Sequence, residues 1–176
     1  MQKQYKLYKI DKDKVAVTIP HLNKYKYKKL SENIVAIEYD YLNNGYKELL
    51  ESMSKMATTQ YIITTSLFYK LLSFFVKKGL DIYEVELNAL FEQDNDSLHK
   101  YIREINQKKD DDNTVNTLLE VLKWYNYDEG IDINHMTFGM KSGNRNCRFH
   151  FYNNGVLAID SEEIENQLFE LLKDVL

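Results

Sequence analysis

Residues 1–41 carry short apolar-rich runs bounded by polar turns and read as strands, in which a period of two places successive side chains on opposite faces. Residues 5–10 and 15–19 flank the polar stretch Asp11-Lys12-Asp13-Lys14, which predicts a hairpin. Pro20 closes its second strand, because proline has no N–H for a ladder. Residues 25–30 and 34–41 form a second predicted pair around Ser31-Glu32-Asn33. Along 24–28 the alternation is strict: Lys24, Lys26 and Lys28 face one way, Tyr25 and Tyr27 the other.

Asn43-Asn44-Gly45 interrupts the pattern, and the period then lengthens. Tyr46, Leu49, Leu50, Met53 and Met56 recur at helical spacing. The β-branched stretch 58–65 reads as a short buried strand, and Ser66 as the cap of a helix through 78, with Gly79 as its C-terminal stop. Residues 82–90 predict a strand with Tyr83, Val85 and Leu87 on one side and Glu84 and Glu86 on the other. Asp96 is the expected cap of a helix that buries Leu98, Tyr101, Ile102 and Ile105. Asn113 is the expected cap of the next, through 125, which buries Val115, Leu118, Leu119 and Leu122.

Toward the C-terminus, residues 131–140, 147–152 and 156–159 read as a three-stranded meander with turns at 142–143 and 154–155. Asn-Gly in the second is a strong hairpin signal. Asp160 with Glu163 makes a capping box for a last helix, whose stripe is Ile164, Leu168, Leu171, Leu172 and Val175. These elements define an α+β fold. Its mostly antiparallel sheet or sheets come from the N- and C-terminal β-regions, with about five helices, and the chain ends in a β-meander followed by an amphipathic helix. At 176 residues it fits a single domain, 1–176. The charged run 108–112 is the candidate joint between two lobes, 1–107 and 113–176.

Composition narrows the class. With 44% hydrophobic and 13% aromatic residues, the chain is expected to fold rather than stay disordered. The single cysteine, Cys147, excludes an internal disulfide and any metal site built on paired cysteines. A lone thiol fits a reducing compartment, so a cytoplasmic location is expected. The first residues lack the apolar core of a secretory signal. The longest apolar stretch, 67–76, is broken by Tyr69, Lys70 and Ser73 and falls short of the roughly 20 residues of a membrane span, so no membrane partner is expected.

Charge adds the main clue about partners. Residues 1–30 hold nine lysines and two acids, whereas the other 146 residues hold 14 basic and 25 acidic side chains. Lysines bind phosphates and aromatic faces stack on bases, so the Lys/Tyr-rich N-terminal β-region suits nucleic acid; it equally suits an acidic protein surface. Lys6, Lys9, Lys24, Lys26, Lys28 and Lys29 are the candidate contact residues. The competing reading makes Tyr25 and Tyr27 core residues and the lysines a solvated back face, where they also keep an edge strand from pairing with other chains. The net charge of −4 opposes non-specific DNA binding by the whole chain.

The meander supplies a second candidate. A two-residue turn at 142–143 sets His135 opposite His150 and Thr137 opposite Arg148. One face then carries Met136, Phe138, Met140, Cys147, Phe149 and Phe151, an apolar core; the other carries His135, Arg148, His150 and Tyr152, a candidate polar site. Two histidines are an incomplete zinc set, so no metal and no cofactor are assigned. No P-loop, GxGxxG, HExxH, GxSxG or CxxC motif is present. Three functional readings follow. The first is a small cytoplasmic non-catalytic interaction protein whose basic β-region contacts an anionic partner, either nucleic acid or an acidic protein surface. The alternative is an inhibitor or immunity-type protein whose acidic body occludes a basic protein target. The third is a metal-assisted hydrolase or nuclease built on His135 and His150, or on Glu38 and Asp40.

Overall fold

The computed structural model describes residues 2–40, 45–89, 92–108 and 112–176, with backbone alone at 92–94 and 112. Asn43 and Asn44, most of the run 108–112 and the end of the strand expected over 82–90 lie outside the described residues. The described elements are six α-helices and eight strands, and the strand pairings described are antiparallel, as an α+β fold requires. They divide into two compact units: unit 1 joins Met1–Ile62 to Asn154–Leu176, and unit 2 is Ile63–Asn153. The residues on both sides of 108–112 fall within unit 2, so this division runs elsewhere than through the charged loop.

Unit 1 is built around β1 (Lys3–Ile10), which has partners on both sides. On one side it pairs with β3 (Ile34–Tyr39), which pairs in turn with the short β2 (Tyr27–Lys29). On the other it pairs with β8 (Val156–Ile159) near its start and β4 (Thr58–Gln60) near its end. Long-range pairing thus brings the two ends of the chain into one unit.

Residues 15–19 are not a strand. They begin α1 (Val15–Leu22), and Asp11-Lys12-Asp13-Lys14 leads into it through a 3-10 turn rather than a hairpin. Packing overrides β-branched propensity here. Val15, Thr18, Ile19 and Leu22 recur at spacings of three and four, and that stripe meets the core of Tyr8, Ile10, Val35, Ile37, Leu49 and Met53. Pro20 lies inside the helix instead of ending a strand. Helix α2 (Gly45–Ser54) brings Leu49 and Met53 to the same core, as its helical period predicts. The region expected as a strand over 58–65 yields only β4, which is largely exposed. Residues 161–164 begin with a turn capped by Ser161, whose Oγ accepts from Glu163 N, so Asp160 is not the cap. Helix α6 (Glu165–Lys173) then lies over the opposite face of β1, with Phe169 edge-on to Tyr5 at 4.9 Å.

Unit 2 starts with α3 (Thr65–Lys77), capped by Thr64 rather than Ser66. Its strands β5 (Asp81–Leu87), β6 (Ile133–Ser142) and β7 (Arg145–Tyr152) form a consecutive antiparallel set. Phe75 of α3 fills its core against Phe138, Phe149 and Phe151 at 4.9–6.1 Å. A register shift at Tyr83 puts Ile82 inward with Val85 and Leu87, so Tyr83 is not on their side as alternation alone predicts. Helix α4 (Glu92–Gln107) begins before Asp96, which therefore is not its cap. Its Asn106 amide bonds both backbone groups of Ile82, which occupies backbone positions another strand would need. Tyr69 of α3 donates to the Leu122 carbonyl of α5 (Asp112–Tyr127). No described helix is long and apolar enough to cross a membrane.

Candidate functional site

The lysines singled out in the N-terminal region have different fates. Lys6 points into unit 1 and is fully buried, so it is not a surface contact residue. Its Nζ donates to the Asn154 carbonyl at the turn before β8, and burial lowers its pKa to about 8. The turn admits the lysine because residue 155 is glycine: its φ is +79°, and a Cβ there would lie 1.9 Å from the Tyr61 carbonyl oxygen. Lys9, Lys24 and Lys29 are exposed and form no ion pair among the described residues, although Lys24 lies over the Tyr25 ring at 5.0 Å. Lys26 and Lys28 keep the common face expected from the alternation, while Tyr25 and Tyr27 pack against the core cluster behind them.

That lysine face carries ion pairs as well as solvent. Glu165, at the start of α6, is almost buried and bridges Lys3 at 2.7 Å and Lys28 at 3.4 Å. Lys3 also reaches Glu162 at 3.3 Å, and Lys26 stands 3.9 Å from Glu38. Burial raises the Glu165 pKa, but the ammonium groups of Lys3 and Lys28 outweigh it and hold the carboxyl below its ordinary value. Lys3 is raised in return, mainly by Glu165. Two of the acids that offset the lysines, Glu162 and Glu165, thus come from the far end of the chain, and unit 1 as a whole holds twelve basic and thirteen acidic side chains.

Between these groups lies a pocket of about 410 Å³. Tyr5 and Glu165 are buried in its lining, Lys3 and Glu38 are partly buried there, and Lys28 and above all Lys26 are the more exposed. Tyr5 is 1% exposed, and its hydroxyl completes no hydrogen bond. Burial is the main cause that raises this phenol's pKa, and the neighbouring Glu165 and Glu38 carboxylates raise it further. A wider groove of about 830 Å³ shares Lys3, Lys26 and Glu38 with the pocket and adds Lys24, Tyr39 and Asp40. Sequence spacing reveals none of the Lys3–Glu165 constellation, because its members lie 162 positions apart.

In unit 2 the candidate polar residues do meet, in a different register. The turn is Gly143-Asn144, so His135 pairs with Tyr152, Thr137 with His150 and Gly139 with Arg148. The expected His135–His150 and Thr137–Arg148 pairs are therefore two residues out. Both shifts are even, so every side chain keeps its expected face. His135 lies between two carboxylates, with Nε2 3.1 Å from Glu84 and Nδ1 2.5 Å from Glu86. A carboxylate only accepts, so each contact needs an N–H on the facing ring nitrogen. The Thr137 hydroxyl lies 3.4 Å from the same Glu84 carboxylate and 2.9 Å from His150 Nδ1. Arg148 stacks over Tyr83 at 4.3 Å, and the Tyr83 ring fills the space a Cβ on Gly139 would take. Glu84 and Glu86 were visible in the sequence as the outward side of a strand, but what joined them to His135 was the pairing of β5 with β6. Among the described residues no three His, Cys, Asp or Glu side chains converge to hold a metal ion. Cys147 is buried on the apolar face.

The chain matches no known protein family, curated protein or solved structure.

Proposed function

We propose that the protein is a small non-catalytic interaction protein whose lysine-bearing β-region in unit 1 contacts an anionic partner, and that this partner is an acidic protein surface acting in the cytoplasm. The observation that carries the reading is the set of exposed lysines without acidic partners among the described residues, Lys9, Lys24 and Lys29, of which Lys24 lines a groove that mixes lysine, tyrosine and carboxylate. Two features favour protein over nucleic acid. Tyr25 and Tyr27 are partly buried against the core, which leaves less of their ring faces open for bases to stack on. The near balance of charge in unit 1 weakens long-range attraction of an extended polyanion such as nucleic acid, while a short acidic segment needs only the few lysines left without acidic partners among the described residues.

The test is fluorescence anisotropy with a labelled ten-residue glutamate/aspartate peptide and, in parallel, labelled single- and double-stranded DNA and RNA, each across a salt series. The acidic peptide is expected to bind. Reversing Lys9, Lys24 and Lys29 to Glu is expected to weaken it roughly tenfold or more, a change of about 1.4 kcal/mol, with the thermal melt unchanged. Steeply salt-dependent binding of DNA or RNA without binding of the peptide would move the assignment to nucleic acid. No binding of either probe at low salt would end it.

A further inference from the structure

We propose that the pocket in front of Tyr5 binds a small zwitterion of the amino-acid class, with its ammonium group on Glu38 and the Tyr5 oxygen and its carboxylate at Lys26 and Lys28. This goes beyond the partner contact: it depends on inward-facing groups, not on the outward lysines. The pocket has an arrangement of charge that a simple anion site lacks. Two carboxylates and the phenol line it together with Lys3, which Glu165 holds, and Lys26 and Lys28 are its more exposed ammonium groups. Glu165 is already held by Lys3 and Lys28, so it offers little to a ligand. Glu38 is different. Its side chain is only 23% exposed, and its one ion pair among the described residues is with Lys26 at 3.9 Å, itself 84% exposed; Lys3, held by Glu165, attracts it from farther off. A weakly compensated inner carboxylate beside a buried hydroxyl with no hydrogen bond calls for an N–H donor. An ammonium group placed there donates to Glu38 and to the Tyr5 oxygen, which frees the phenol proton to turn toward Glu165. The second end of the ligand follows from the mouth. Lys26 is 84% exposed, and Lys28 stands beside it with Glu165 and Asn166 as its present partners, so a carboxylate next to the ammonium meets one open cation and one it shares. A volume of about 410 Å³ leaves room for a side chain as well.

The test uses the full chain, isotopically labelled, and follows amide and side-chain NMR shifts on titration with pools of the twenty free amino acids and then with single members. At least one free amino acid is expected to saturate shifts at β1, β2 and β3. Its N-acetylated form is expected not to bind. Glu38→Gln and Tyr5→Phe are each expected to weaken binding by about tenfold or more, as loss of a hydrogen bond to a charged group does, while thermal melts report the fold of each variant. The proposal fails if no amino acid shifts these strands. It fails equally if acetate or inorganic phosphate binds as well as the amino acid, or if a folded Glu38→Gln variant binds as tightly as the parent. The acidic-peptide titration is read on Lys9, Lys24 and Lys29, so either result can fail while the other stands.

Discussion

Unit 1 and unit 2 both hold clustered polar groups, and outside the Lys3–Glu165–Lys28 ion pairs of unit 1 they treat them in opposite ways. In unit 2 the polar side chains join one another: Glu86, His135, Glu84, Thr137 and His150 form a continuous chain of contacts at 2.5–3.4 Å. In unit 1, Lys6 is sealed with a single backbone carbonyl as its hydrogen-bond partner, and the hydroxyls of Tyr5 and Tyr8 complete no hydrogen bond. The difference teaches that a cluster of polar residues is not by itself a binding site. A satisfied network has few bonds left to offer, whereas unsatisfied groups that line a cavity have bonds to give. It also sets the sign of substitution: apolar replacement should stabilise unit 1 at these positions and destabilise unit 2.

The largest effect is expected at Lys6. Its folded pKa of about 8 lies below the ordinary 10.5, a displacement worth about 3 kcal/mol. Lys6→Met removes that penalty and leaves the Asn154 carbonyl without its donor, which returns about 1 kcal/mol. The net expectation is a gain of about 2 kcal/mol at pH 7, read by urea denaturation. The sign with pH follows from linkage. Below pH 8 both states hold the proton and the penalty is constant. Between 8 and 10.5 the unfolded chain keeps a proton that the folded one has shed, so rising pH favours the parent fold. The advantage of the variant should therefore shrink through that window. Taking the difference between the two proteins cancels the other titrating groups. A variant less stable than the parent at pH 7 would contradict the comparison.

Thr137→Val tests the opposite sign in unit 2. Thr137 is 2% exposed, and its hydroxyl touches both Glu84 and His150. Valine keeps the shape and strips both contacts, so a loss of about 1–2 kcal/mol is expected. An unchanged urea midpoint would mean that water replaces the hydroxyl at no cost, and the network would lose its standing as the satisfied member of the pair.

How much of this was legible in the sequence depends on how local each feature is. The faces of β6 and β7 were readable because period two survives an even error in register; the pairing itself was not, since Gly143 is a central residue of both the 142–143 and the 143–144 turn and its positive φ suits either. Residues 15–19 misled because β-branched residues favour strands in isolation, while the spacing of Val15, Thr18, Ile19 and Leu22 fits a helix only once a core exists to receive it. The lysine clustering was plain, but its compensation was not. Glu162 and Glu165 look like the start of a helix in the sequence, and only the pairing of β1 with β8 carries them to Lys3. Lys6 was indistinguishable from its exposed neighbours because alternation assigns a face and cannot say which face is covered.

Tyr8→Phe gives the smallest and cleanest test. Tyr8 is 2% exposed in the core of unit 1, against Val35 and Ile37, and burial is the main cause that raises its phenol pKa. Unlike Tyr5, it lines none of the cavities described above, so no ligand enters the reasoning. Removing its hydroxyl ends the cost of a buried donor without an acceptor and leaves a void of one oxygen atom. The first term outweighs the second, and a gain of about 0.5–1 kcal/mol is expected in urea. A loss of the same size would show that the hydroxyl finds an acceptor in solution. The unsatisfied character of unit 1 would then narrow to Tyr5, the one phenol of the two that faces a pocket.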